Sequence, residues 1–109
     1  MIKVIVYRSG GLLQGLEVSG HSGFQPRGSD IVCSAISALS QTAIPALEQV
    51  ADVKPDWSRT DGRLICKLPP DLDHRDLDAA QAVLQTVIIG IETIAKQYPQ
   101  HVTVNNKEV

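Results

Sequence analysis

The hydrophobic and polar positions along the chain change period four times. Ile2 to Tyr7 is rich in β-branched residues and apolar on both faces, which predicts a central strand. Ser9-Gly10-Gly11 is a turn signal. Leu12 to Ser19 then alternates, with Leu12, Leu16 and Val18 expected on one face and Gly15, Glu17 and Ser19 on the other. From about Asp30 to about Ala51 the period lengthens to that of a helix, whose buried stripe is Val32, Ala35, Ile36, Leu39, Ala43, Leu47 and Val50. Pro45 falls inside that pattern and predicts a kink or break near Gln41 to Ile44. Alternation returns in Val53 to Ser58 and Gly62 to Leu68, turned through Thr60-Asp61-Gly62 and ended by Pro69-Pro70.

A second helix follows, capped by Asp71 or Asp73 and stopped after Tyr98 by Pro99. Its stripe runs from Leu77 through Leu84, Ile88 and Ile91 to Tyr98. Val83 and Ile89 widen it beyond what one sheet face needs, which suggests a partner surface. His101 to Asn105 supplies a last strand, with Val102 and Val104 inward. The order is ββαββαβ. It predicts an α+β fold, a two-layer sandwich with a mostly antiparallel sheet and two long helices on one face.

Composition narrows the function classes. The 109 residues suit one domain, hydrophobic residues are 43% and charged residues 20%, so a packed core is expected without disulfides or a structural metal. The formal charge is −2 and the ten basic residues are scattered, which argues against direct nucleic-acid binding. The chain enters a strand directly, without a charged-then-apolar leader, and no apolar run is read as long enough for a membrane span. A cytoplasmic protein with no membrane association and two reduced cysteines is expected. Neither zinc-type spacing nor any other metal or cofactor signature is present.

The chemistry gathers between the second strand and the first helix, in GHSGFQPRGSDIVCSAISAL, residues 20–39. His21 ends a strand, and Cys33 opens a helix, where unpaired N–H groups and the helix dipole favour a thiolate. A small residue at a helix start is the commoner role for a lone cysteine, and a backbone-bonded strand end the commoner role for a histidine. Cys33, however, lies on a small and polar stripe with Ser37, Ser40, Gln41 and Glu48, off the aliphatic one. Cys66 shares a strand face with Leu64 and Leu68 and reads as core. Asp30 sets a condition. A carboxylate about 6 Å from a thiolate costs roughly 3 kcal/mol at an effective dielectric of about 20, more than the ~1 kcal/mol a helix terminus supplies. Asp30 must therefore be neutralised, by capping the helix or by pairing with His21 and orienting it. The backbone N–H groups of Cys33 and Ser34 are candidate oxyanion donors. Ser22, Gly23, Phe24, Gln25, Pro26, Arg27 and Gly28 form a loop of a length suited to covering a substrate and ordering on its arrival. His74 and His101 read as solvated.

This stretch closely resembles the signature of the ribosomal-processing cysteine protease (Prp) family: a Gly-His-x-Gly start, an aromatic residue, a Gly-x-Asp-Ile-Val-Cys core and a small-residue helix ending in Ala-Leu. The flanking hairpins and the second helix agree, so the resemblance spans essentially the whole chain as a single protease domain, residues 1–109. It implies Cys33 as nucleophile and His21 as general base, with the role of Asp30 left open. It further implies a homodimer that removes a short N-terminal extension from a large-subunit ribosomal protein, cutting after a hydrophobic, phenylalanine-containing segment. Two other classes stay open on the residues alone: a thiol redox or acyl-transfer protein, and a non-catalytic ribosome-associated module.

Overall fold

Two hairpins, two helices and a final strand form the molecule, which a computed structural model describes over residues 1–21, 23–26 and 30–109. Strands β1 (Ile2–Ser9) and β2 (Leu12–Gly20) pair antiparallel around Gly10-Gly11. Ile2, Val4 and Val6 point into the core from β1. The pairing slips between Tyr7, opposite Gly15, and Arg8, opposite Leu13, leaving Gln14 as a bulge. A one-residue slip moves the following side chains to the other face. Leu13 is consequently buried, whereas Leu12, expected inward, is 41% exposed. The bulged segment is held by an amide clamp: Gln81 Nε2 donates to the Leu13 carbonyl at 2.7 Å, and the Leu13 N–H donates to Gln81 Oε1 at 2.7 Å.

Strands β3 (Asp56–Thr60) and β4 (Arg63–Lys67) make the second hairpin, and β5 (Val102–Glu108) completes a five-stranded sheet in the order β3-β4-β2-β1-β5. All pairings among these strands are antiparallel except β5 with β1, which is parallel. The β3 strand starts later than the alternation suggested, because Val53 and Pro55 are already buried before it. Helices α1 (Ile31–Gln49) and α2 (His74–Gln97) close one face. Val32, Ile36, Ala43 and Leu47 from α1 and Ala80, Leu84, Ile88 and Ile91 from α2 join Leu16, Cys66 and Val102 in one cluster. Each large aliphatic side chain buried there contributes about 1.5–3 kcal/mol of transfer free energy before entropy is counted.

Several helix expectations change. The α1 helix continues unbroken through Pro45, which is exposed, so the turn lacking a backbone bond faces water. Val50 lies past the helix end at 72% exposure, while Ser40 is buried at 1%, its hydroxyl donating to the carbonyls of Ile36 and Ser37. A short polar side chain that bonds back to its own helix can thus occupy a core position. Val83 of α2 is core, which accounts for half of the extra width of the stripe, and Ile89 remains exposed. Both helices are long and apolar enough by length and composition to cross a membrane, contrary to the sequence expectation. Their apolar stripes are here directed at the sheet and at each other, with Leu39 of α1 filling the notch at Gly90 of α2.

The opposite sheet face carries a polar ladder. Tyr7 Oη donates to Glu17 Oε1 at 2.8 Å, Arg63 Nε donates to Glu17 Oε2 at 3.1 Å, and Lys67 Nζ lies 4.5 Å from the centre of the Tyr7 ring. The hydrogen bond from Arg63 holds the Glu17 carboxyl below its ordinary value, and the bond to Glu17 pushes the Tyr7 phenol up.

Candidate active site

Strand β2 ends at Gly20, whose φ of +88° turns the chain out of the sheet. The Gly20 N–H donates to the Gly62 carbonyl at 2.9 Å, tying this exit to the β3–β4 turn. His21 follows immediately and is exposed. Its Nε2 lies 3.8 Å from where a Cβ on Gly62 would stand, and Gly62 itself has φ +78°. The imidazole is therefore backed by bare main chain, which only glycine provides at that backbone angle. Cys33 sits in the first turn of α1, half-buried and packed against the edge of the core. His21 and Cys33 line the same open cleft of about 490 Å³, together with Ser37, Gln41, Arg59 and Gly62. The sequence placed the two residues on either side of a loop; the fold brings them to one cavity.

Asp30 is the N-cap of α1. Its Oδ1 accepts the Cys33 N–H at 2.9 Å, its carbonyl accepts the Ser34 N–H at 3.0 Å, and the residue is only 7% exposed. Helix capping, one of the two ways to neutralise Asp30, is present: orphan N–H groups at a helix start satisfy a carboxylate. The same bonds occupy both backbone groups assigned to an oxyanion, Cys33 N–H and Ser34 N–H. Neither is free in this conformation, because the N-cap takes the donors that the first turn presents.

Cys66 is fully buried, paired across from Leu16, and burial pushes its thiol up to about 11. It is packing, as its strand position suggested. Sequence reasoning missed a polar chain across the cleft. Gln41 Nε2 donates to Ser37 Oγ, and Arg59, reaching from β3, donates to Gln41 Oε1 at 2.9 Å. Ser37 and Gln41 were visible as a polar stripe, but nothing local marked Arg59 as their partner. Phe24 packs edge-on against Tyr98 and His101, with ring centres 5.5 and 5.3 Å away. It pins its end of the loop to the α2–β5 junction, and His101, expected to be solvated, is part of that contact. Ser22, Arg27 and Gly28 of the candidate loop lie outside the described residues. Among the described residues no group of three or more His, Cys, Asp or Glu could hold a metal ion.

A thiol in the first turn of a helix and an imidazole on the wall of the same open cleft are the equipment of a thiol hydrolase. The chain belongs to the cysteine protease Prp family, whose family model matches residues 1–103. It is 30% identical over 108 residues to the ribosomal processing cysteine protease Prp of Bacillus subtilis (strain 168), covering 95% of this chain and 96% of that protein. Among solved structures it is similar to an essential ribosomal processing protease Prp from S. aureus in complex with a covalently linked product peptide, with TM-score 0.87 and 26% identity over 98% of this chain and 100% of that one. The S. aureus protease in complex with a substrate peptide matches with TM-score 0.82 and 25% identity, over the same shares. The α+β architecture read from the residues and the cysteine protease class implied by the resemblance both stand.

Proposed function

We propose that this protease removes a short N-terminal extension from a large-subunit ribosomal protein, with Cys33 as nucleophile and His21 as general base and acid. The observation that carries the residue assignment is the shared cleft: His21 and Cys33 line it, while the other thiol, Cys66, is fully buried. The names of the B. subtilis and S. aureus relatives, and the peptide bound to the latter, support the substrate class.

In this reading the Cys33 thiolate attacks the scissile carbonyl, His21 delivers a proton to the departing amine, and water attacking with His21 as base releases the acyl group. Asp30 acts through the helix start, holding the Cys33 backbone in place. Use of the Cys33 and Ser34 N–H groups for an oxyanion requires the Asp30 cap to loosen when substrate binds. The finer proposals are a cut after a hydrophobic, phenylalanine-containing segment, a single domain over residues 1–109, action in the cytoplasm and a homodimer. Ile89, exposed in the middle of α2, supports a partner surface there.

The test is incubation with the host's large-subunit ribosomal protein, synthesised with an apolar N-terminal extension, followed by mass spectrometry of the new N-terminus. One cut directly after the apolar segment is expected. An intact precursor, or cuts scattered through the mature protein, contradicts the substrate.

A further inference from the structure

We infer that the free edge of β3 is a docking strand for the substrate, which binds as an extended segment added to the sheet through the backbone of Trp57 and Arg59. The inference rests on the protease reading above and specifies how its peptide is held. In the β4 segment the bonds to β2 recur at even positions. The Gly62 carbonyl accepts from Gly20, the Leu68 N–H donates to the Gln14 carbonyl at 2.8 Å, and Leu64 and Cys66 stand opposite Val18 and Leu16 between them. Antiparallel strands direct successive residues' N–H and C=O groups to alternate sides. The odd residues Arg63, Ile65 and Lys67 therefore bond to their partners Thr60, Ser58 and Asp56 in β3. That leaves the N–H and C=O groups of Trp57 and Arg59 directed away from the sheet. All five β3 residues are exposed, and no backbone bond to this edge is made by the described residues outside the sheet.

An open edge of this kind is a template for an extended peptide, in which main-chain bonds give affinity and side-chain pockets give selectivity. Continuity with the active cleft argues for the substrate as the occupant. Arg59 and Thr60 belong both to this edge and to the wall of the cavity holding His21 and Cys33. The side chains of Trp57 and Arg59 share the helix-side face, since they pair with the inward Cys66 and Leu64. Trp57, 48% exposed, offers an apolar platform to alternate substrate residues. A peptide laid along β3 runs towards the Asp61-Gly62 turn, beside which His21 stands. An apolar cleavage segment fits such a site.

The test scans N-methyl groups one residue at a time through a peptide copied from the apolar N-terminal segment, with kcat and KM measured for each. N-methylation removes one donor without touching side chains, and a lost hydrogen bond of this type is worth about a five- to tenfold change in KM. The expected result is an alternating pattern, with KM raised at every second position. A second measurement uses the Cys33→Ala protein with the unmodified peptide and reads amide exchange by NMR. The Trp57 and Arg59 amides are expected to gain protection, and the Ser58 and Thr60 amides, already bonded within the sheet, to change little. Cleavage of the parent peptide with no alternation and no gain at Trp57 and Arg59 overturns edge docking while leaving the protease reading intact. A parent peptide that is neither cleaved nor bound overturns the proposed function and this inference together.

Discussion

Replacing Gly20 by alanine separates the placement of His21 from the stability of the fold. Gly20 has φ +88°, and a Cβ there would stand 2.4 Å from the Met1 carbonyl oxygen, about 1 Å short of ordinary contact at 3.4 Å. The obstructing atom is main chain, so the strand exit itself has to move. The left-handed backbone adds about 1–2 kcal/mol for an L-residue. For a domain of this size that lowers Tm by about 4–16 °C, at 4–8 °C per kcal/mol. The variant stays folded at 25 °C if the total remains below a typical stability of about 5–15 kcal/mol. Activity should fall much further, because His21, the proposed general base, is the next residue, and misplacing a catalytic group by about 1 Å costs on the order of 100-fold. The assay is kcat/KM for the peptide at 25 °C beside thermal unfolding. Gly10→Ala is the control: its φ is +55° with nothing within 4 Å of the added Cβ, in a turn outside the cleft lining. It is expected to lose stability and keep kcat/KM. If Gly20→Ala keeps kcat/KM within about threefold of the parent while Tm falls, the β2 exit does not aim His21 and the reasoning fails.

Other expectations follow from the same geometry. Gln81→Ala removes both bonds to the Leu13 bulge and should destabilise by about 1–3 kcal/mol in a denaturant titration, while Gln81→Glu keeps the acceptor for the Leu13 N–H but loses the donor to the carbonyl and should recover only part of it. Asp30→Ala loses the cap of α1 and should cost about 0.5–2 kcal/mol, with Asp30→Asn restoring most of it in the same titration. For native protein alkylated at pH 8, a thiol at about 11 leaves Cys66 with on the order of one thiolate in a thousand, so mass spectrometry should place the modification on Cys33 and find Cys66 only after unfolding. The Tyr7–Glu17–Arg63 ladder gives stability a defined pH window. The depressed Glu17 contributes above its ordinary 4.5 and is lost as pH falls through the folded value; the raised Tyr7 contributes below 10.0 and is lost as pH rises through its folded value. The Tm gap between the parent and Tyr7→Phe should thus be present at pH 7 and shrink above pH 10.

Element types and order were legible because the periods are long and clean. The strand β1, the two helix stripes and the demotion of Cys66 all came from spacing. What spacing did not carry was register. The Gln14 bulge depends on how two strands meet, and it exchanged Leu12 for Leu13. Val50 failed because the helix ended first, and Ser40 because its hydroxyl found partners in its own helix. Within the site, Asp30 was recognisable as a charge that needed an answer, and the structure supplied the capping bond. The Arg59–Gln41–Ser37 chain joins β3 to α1 across 18 residues and more, so no local pattern announced it. Phe24 read as a substrate cover, yet its ring packs on Tyr98 and His101, residues that only the closed fold brings near.

The central claim is that Cys33, and not Cys66, carries the reaction. The direct measurement is acid-quenched mass spectrometry of the protein mixed with its precursor substrate, read for an acyl adduct and for cleavage in the parent, Cys33→Ala and Cys66→Ala. A transient adduct is expected on Cys33 in the parent and in Cys66→Ala, and neither adduct nor cleavage in a folded Cys33→Ala. Cleavage that survives in Cys33→Ala, or an adduct found on Cys66, would contradict it.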